Sequence, residues 1–250
     1  DGEAANPGPQ ADTLFTTTNV TCMEKQLACF LRLPGHIKGV QETKFEHSDQ
    51  LKFEKDLPKG HHVVFGQPLS NSKEAGGVAI LSSIGPLGQP KALNQQEERL
   101  LASKRYVRAV LPLDNGKNCL HIISFYGVTN AARKACARKE NEELLKLMFE
   151  VLAALGQVPV VILGDFNSNC DSSTTLDVAL RSQTWYDAAL VWADKTGQSP
   201  VNTCHVRSTS AGSRIDLVLL NRQMASSLTH FQTIPESGIP THDPVVAQLA

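Results

Sequence analysis

The sequence predicts an α/β domain in which β-sheet is covered by helices in layers. Nine short apolar runs rich in β-branched residues alternate with turn chemistry, and one strongly periodic helix plus three weaker ones are interspersed among them. No internal repeat, no low-complexity tract beyond residue 11 and no long linker divides the 250 residues. With 41% hydrophobic residues there is material for a sizeable core, so one domain over residues 12–250 is the expectation.

In chain order, residues 1–11 (DGEAANPGPQA) hold two prolines and no apolar period, which predicts a flexible lead-in. Strands are predicted over 14–20, 37–40, 62–65, 78–81, 106–111, 120–126, 158–163, 215–220 and 245–249. The strongest helix signal places Asn141 as an N-cap, Glu142 and Glu143 in the first turn, then Leu144, Leu145, Leu147, Met148, Val151 and Leu152 at helical spacing until Gly156. Weaker helices are predicted over 23–31 (closed by Pro34 and Gly35), 175–180 and 223–228. Trp185, Tyr186 and Trp192 lie at helical spacing with Leu190 and are read as core residues in preference to base-stacking ones.

With 24 basic against 25 acidic residues, the chain has no overall cationic surface that would announce a nucleic-acid or membrane partner. Locally the balance differs. Between residues 99 and 139, nine basic side chains face one acid, Asp114, which is either a solvated face or a phosphate-neutralising groove. The longest apolar runs fall short of the roughly 18 to 20 residues a bilayer requires, so no membrane partner is expected. Six widely spaced cysteines without a C-x-x-C pair predict thiols that are mostly buried and an intracellular, reducing compartment, nuclear or cytoplasmic. A start at Asp1 in place of methionine is read as a processed form or an excised domain.

The chemistry sits at strand ends. Asn19 closes LFTTTNV, Glu42 follows IKGVQ, Tyr126 ends LHIISFY, Asp165 and Asn167 follow VPVVILG, Asp216 lies inside SRIDLVLL beside Arg214, and His242 leads into THDPVV. Each alone has an ordinary reading, Glu42 as a solvated acid and His242 as a surface histidine. Together, at adjacent strand ends, they could converge on one pocket over a rigid apolar floor.

These residues, in the order TTNV, QETK, GGVAIL, SFYGVTN, ILGDFNS, SRIDLVLLN and PTHDPV, resemble the endonuclease/exonuclease/phosphatase superfamily over almost the whole folded chain. The resemblance implies a layered α/β sandwich of two packed mixed β-sheets flanked by helices. It also implies a divalent-metal-dependent phosphodiesterase that hydrolyses a nucleic-acid backbone, DNA or RNA, by in-line attack of water, with Mg2+ or Mn2+ as cofactor. Carried over, Glu42 and Asn19 match the metal ligands. Asp165 matches the residue that orients or deprotonates water, Asn167 the amide that steadies the phosphate, Asp216 and His242 a coupled acid–imidazole pair, and Tyr126 a phosphate-contacting phenol. Arg214, Asn130 and Arg133 are assigned to substrate binding.

Two departures stand out. Where the family commonly reads S-D-H-x-P-V, Thr241 precedes His242 in place of the acid, while Asp243 follows it and should point to the opposite face. Asn130 follows Tyr126 by four residues, where nuclease relatives often have three. The loop after GDFNS lacks the features of phosphoinositide phosphatases, and the motif style favours nuclease or retroelement-endonuclease branches. A catalytically weakened nucleic-acid- or phosphate-binding module, or a phosphatase or sphingomyelinase of the same fold, is the alternative.

Overall fold

The structure, a computed structural model, describes residues 12–113, 117–205 and 212–250. The lead-in over residues 1–11 and Asp114 therefore lie outside the described residues.

Among the described residues, eleven strands form two mixed sheets. The first contains β1 (Thr13–Asn19), β2 (Ile37–Gln41), β3 (His62–Phe65), β4 (Val78–Ser82), β10 (Leu228–Thr233) and β11 (Val245–Leu249), in the order β10-β11-β1-β2-β4-β3. The second contains β5 (Tyr106–Leu113), β6 (Asn118–Tyr126), β7 (Val160–Asp165), β8 (Trp185–Asp187) and β9 (Asp216–Asn221), in the order β5-β6-β7-β9-β8. Helices α1 (Met23–Arg32) and α2 (His47–Asp56) cover the first sheet. Helices α3 (Gln95–Ala102), α4 (Ala135–Ala154) and α5 (Thr174–Arg181) cover the second, with α6 (Ala188–Thr196) and α7 (Arg222–Ala225) near its β8–β9 side. The result is the layered sandwich that the sequence led us to expect.

Alternation explains the layers. In β7, Val161 and Leu163 point into the core between the sheets with Phe15, Ile37 and Ile80, while Val160 and Ile162 point the other way, onto Leu145, Met148 and Val151 of α4. Both faces are covered, so β7 reads as an uninterrupted apolar run. Full burial of each such side chain contributes about 1.5–3 kcal/mol. A polar seam also crosses the sheets: Gln41 Nε2 donates to Ser124 Oγ at 3.0 Å, and Ser124 Oγ donates to the Val40 carbonyl at 3.1 Å.

Several expectations are corrected. Helix α4 begins at Ala135, six residues before Asn141, and Asn141 is a fully buried interior residue. The helix expected over 223–228 is the single turn α7, because Leu228 already starts β10. Trp185 and Tyr186 lie on β8 and Trp192 on α6, so they share no helix; Trp185 stacks on Phe149 in the core at 5.6 Å, and Trp192 meets the ring of His230 at 5.0 Å. Helices α2 and α3 and strands β8 and β10 carried too few periodic apolar residues to be read locally, while α6 is apolar but was merged in sequence with the residues that form β8. Helix α2, for example, buries only Phe53.

Candidate active site

Strand register brings the motifs together. In the second sheet Tyr126 pairs with Asp165, and Asp165 with Asp216, placing three strand termini in one row. In the first sheet Asn19 pairs with Gln41, the residue before Glu42, while β11 runs antiparallel to β1 and delivers His242 from just ahead of Val245. The two rows meet at one end of the sandwich, where Asn19 Nδ2 donates to Asp165 Oδ2 at 2.8 Å.

The meeting point is a cleft of about 500 Å3 lined by Asn19, Glu42, Tyr126, Asn130, Arg133, Asp165, Asn167 and His242, with Cys204 and Thr241 also on its wall. Asp216 stands directly behind His242. Arg214 does not reach the cleft: its guanidinium pairs with the buried carboxylate of Asp187, at the N-terminus of α6. A smaller cleft beside α1 and α2 and a larger one beside α4 and α5 have no histidine in their walls.

The GDFNS loop is built by close approach. Gly164 is a strand residue; a Cβ there would lie 2.7 Å from the Phe125 carbonyl oxygen and 3.0 Å from the Phe166 ring. A Cβ on Gly127 would lie 2.1 Å from the Phe166 carbonyl oxygen, so that position too admits only glycine. Phe166 is fully buried against Phe125 and anchors the loop. Asp165 Oδ1 then accepts the Asn167 N–H at 2.9 Å, and Asn167 Nδ2 donates to the Gly127 carbonyl at 3.2 Å. Glu42, Asn130, Asn167 and Thr241 all hold left-handed backbone (φ 58, 66, 49 and 67°), a costly conformation for Glu and for β-branched Thr that is concentrated around this cleft.

His242 Nδ1 lies 2.9 and 3.1 Å from the two oxygens of Asp216, whose Oδ2 also accepts the Thr203 hydroxyl at 2.8 Å. Burial alone would lower the imidazole pKa, but the Asp216 charge and hydrogen bond, with help from Cys204 and Asp165, push it up to about 12. Burial and the Asp216 charge lift the Asp165 carboxyl from the ordinary range to about 7, against the opposing effect of His242, Asn19 and the Asn167 N–H. Tyr126 is held protonated by burial and by the nearby Glu42 and Asp165 charges; its hydroxyl meets Thr129 Oγ1 at 3.0 Å and its ring lies beneath Arg105 at 4.9 Å. Glu42 is paired with Lys44 at 3.4 Å.

The basic segment is divided. Arg133 lines the cleft and Arg105 flanks it through Tyr126, whereas Arg108 is buried against Glu97 and Lys104 pairs with Glu74. Asp243 faces away from the cleft, as alternation required, and meets His205 at 3.1 Å.

The motifs gave no sign of three contributors. Thr203 clamps Asp216. Cys204 brings its Sγ to 3.8 Å from His242 Nε2. Asn141 accepts the Val128 N–H at 2.7 Å and donates to the Phe166 carbonyl and Ser168 Oγ, tying α4 to both loops that flank Asn167. A lone Asn at a core-facing helical position was the available signal for the last of these.

The donor set suits a divalent cation in two places. Glu42 and Asn19 offer a carboxylate and an amide oxygen, the hard donors that magnesium prefers alongside water and phosphate. Asp165, Asp216 and His242 offer atoms all within 4.8 Å of one another. Among the described residues, no helix is long and apolar enough to cross a membrane.

Residues 31–236 match the family described as the Endonuclease/Exonuclease/phosphatase family. The structure is similar to the catalytic domain of APE2 from Xenopus laevis, with a TM-score of 0.72, 20% identity and coverage of 94% of this chain and 90% of that one. It is also similar to the 3′ phosphatase NExo from Neisseria bound to a product DNA hairpin, with a TM-score of 0.69, 20% identity and coverage of 95% and 99%. For the AP endonuclease LMAP from Leishmania major the TM-score is 0.76 at 14% identity, with coverage of 96% and 88%. No curated protein matches.

Proposed function

The chain belongs to the Endonuclease/Exonuclease/phosphatase family, and from that premise we propose that residues 12–250 form one catalytic domain, a magnesium- or manganese-dependent phosphodiesterase that hydrolyses a nucleic-acid backbone. One observation carries this reading: Asn19, Glu42, Asp165, Asn167 and His242, drawn from both sheets, line a single cleft with Asp216 directly behind the imidazole. The solved structures it resembles, an AP endonuclease and a 3′ phosphatase with a DNA hairpin, point to the same substrate class.

Glu42 and Asn19 would hold the cation. Asn19 Oδ1 already accepts the Thr21 N–H at 2.7 Å but keeps a second lone pair, and Glu42 opens onto the cleft, so the residues present fit a hard ion. When bound, such an ion offsets charge that builds on the non-bridging phosphate oxygens. Asp165 orients a water and, with a carboxyl poised near neutrality, takes its proton. His242, kept cationic by Asp216, presents Nε2–H to a non-bridging oxygen. Asn167 steadies the phosphate and Tyr126 contacts it as a neutral phenol. Asn130 and Arg133 on the rim bind the flanking backbone, while the Arg214–Asp187 pair fixes the approach to β9.

Cleavage of a plasmid in the presence and absence of magnesium, with Glu42→Gln and His242→Ala beside the parent, tests the assignment. Loss in both variants is expected; undiminished cleavage in both would remove it. Thr241, where relatives commonly carry an acid, favours a second reading, a binding module with weakened catalysis, which predicts retained affinity for nucleic acid and no cleavage of any phosphodiester.

A further inference from the structure

Asn141 interrupts the apolar stripe by which α4 packs on the second sheet. Leu145, Met148 and Leu152 follow it at helical spacing, and all four side chains are buried. An amide among such neighbours is costly unless its hydrogen bonds are made, and here they are. Oδ1 accepts the Val128 N–H at 2.7 Å, while Nδ2 donates to the Phe166 carbonyl at 3.1 Å and to Ser168 Oγ at 3.0 Å. A helix residue that serves only packing would be met more cheaply by leucine, so the amide has another use.

Its partners bracket Asn167. Phe166 precedes that residue and Ser168 follows it; on the other loop Val128 follows Gly127, whose carbonyl accepts Asn167 Nδ2 at 3.2 Å. A ring of hydrogen bonds closes, from Asn141 to Phe166, from Asn167 to Gly127, and from Val128 back to Asn141. The ring has little slack: a Cβ on Gly127 would lie 2.1 Å from the Phe166 carbonyl oxygen and 2.9 Å from Asn141 Oδ1. Arg105 Nη1 also donates to the Gly127 carbonyl, at 2.8 Å. Asn167 holds a φ of 49°, a conformation that persists in a non-glycine residue only where its surroundings impose it. Asn141 imposes it from the buried side.

We propose that Asn141 is a positioning residue for hydrolysis, acting through Asn167. It does not line the cleft and touches no substrate; it fixes the direction in which the Asn167 amide faces the phosphate. The effect on rate rests on the function proposed above. The bracket itself does not.

Two measurements test it. In the 15N-labelled parent the Asn167 side-chain amide should exchange with solvent about tenfold more slowly than a free primary amide, and Asn141→Leu, shown to be folded by near-ultraviolet circular dichroism, should lose that protection. On a defined oligonucleotide Asn141→Leu should lower kcat by about 10- to 100-fold with a smaller change in KM. Placed in Asn167→Ala, the same substitution should change kcat by less than about twofold, because the amide it positions is gone. Where the leucine variant does not fold, Ser168→Ala removes one bond of the bracket and leaves α4 untouched; kcat should fall by about twofold or more in the parent and stay unchanged in Asn167→Ala. An Asn167 amide that exchanges freely in the parent, protection retained in Asn141→Leu, or equal losses in both backgrounds overturns the proposal. A parent that cleaves no phosphodiester removes the hydrolase reading, and loss of the amide protection in Asn141→Leu then still supports the bracket.

Discussion

Two buried acid–base clusters of the second sheet use similar side chains to different ends. Glu97 on α3 accepts Arg108 Nε at 2.6 Å, Arg108 Nη2 at 2.8 Å, the Tyr106 hydroxyl at 3.0 Å and the Leu93 N–H at 2.8 Å, and no member of that cluster lines the cleft. Burial alone would raise the Glu97 pKa, but these donors, led by Arg108, hold it below the ordinary value. Asp165 is equally buried yet faces a carboxylate, Asp216, and an open cleft, and its pKa is raised. Saturation with donors makes a structural ion pair. Incomplete satisfaction beside a like charge makes a group that can exchange a proton at neutral pH.

Breaking the cleft cluster should have the largest effect. Asp165→Asn and His242→Ala are each expected to lower the rate of phosphodiester cleavage by about 10^2- to 10^4-fold, read as kcat/KM on a defined oligonucleotide. Breaking the sealed cluster comes next: Glu97→Gln leaves the Arg108 charge buried and should cost about 3 kcal/mol in urea unfolding, while the molecules that remain folded cleave normally.

The two acids should also respond oppositely to pH. Asp165 has a raised folded pKa, so the folded chain retains a proton that the unfolded chain releases between about 3.8 and 7, and stability falls as pH rises through that window. Glu97 has a lowered folded pKa; its stabilisation is complete above the unfolded value near 4.5 and is lost as pH falls through the folded value. Unfolding free energies of the parent minus those of Asp165→Asn, measured from pH 4.5 to 7.5, should therefore decline by on the order of 2 kcal/mol. A difference that stays flat would show that Asp165 titrates like an exposed carboxyl.

The smallest effect is expected at Thr241. Asp tolerates a φ of 67° better than a β-branched residue and adds a carboxylate at the cleft wall. Thr241→Asp should fold at least as well as the parent and lower the magnesium concentration for half-maximal cleavage by less than about tenfold, or 1.4 kcal/mol.

Much of the candidate site was legible because its residues interrupt otherwise clean periodic runs. Asp165 follows the apolar run that becomes β7, Asp216 opens β9, and His242 precedes β11. A polar group at the end of a buried strand must be satisfied or used, and the strand itself is visible from local alternation. Partner choice was not legible. Arg214 sits two residues from Asp216 but pairs with Asp187, and Asp216 instead takes Thr203 and His242. Asn141 imitates a helix cap in sequence, yet three long-range hydrogen bonds hold it inside α4. The +8 segment looked like one surface until Arg108 turned inward to Glu97.

The amino-acid order by itself determined the α/β class, most strand positions and the residue types available for phosphate chemistry, because backbone periodicity and turn chemistry act over a few residues. The tertiary structure decided which of those residues face one another. Asn19 meets Asp165 across 146 positions of chain, and Cys204 reaches His242 across 38. Contacts of that span depend on strand register and sheet packing, which bring the groups together only after the whole sandwich has closed.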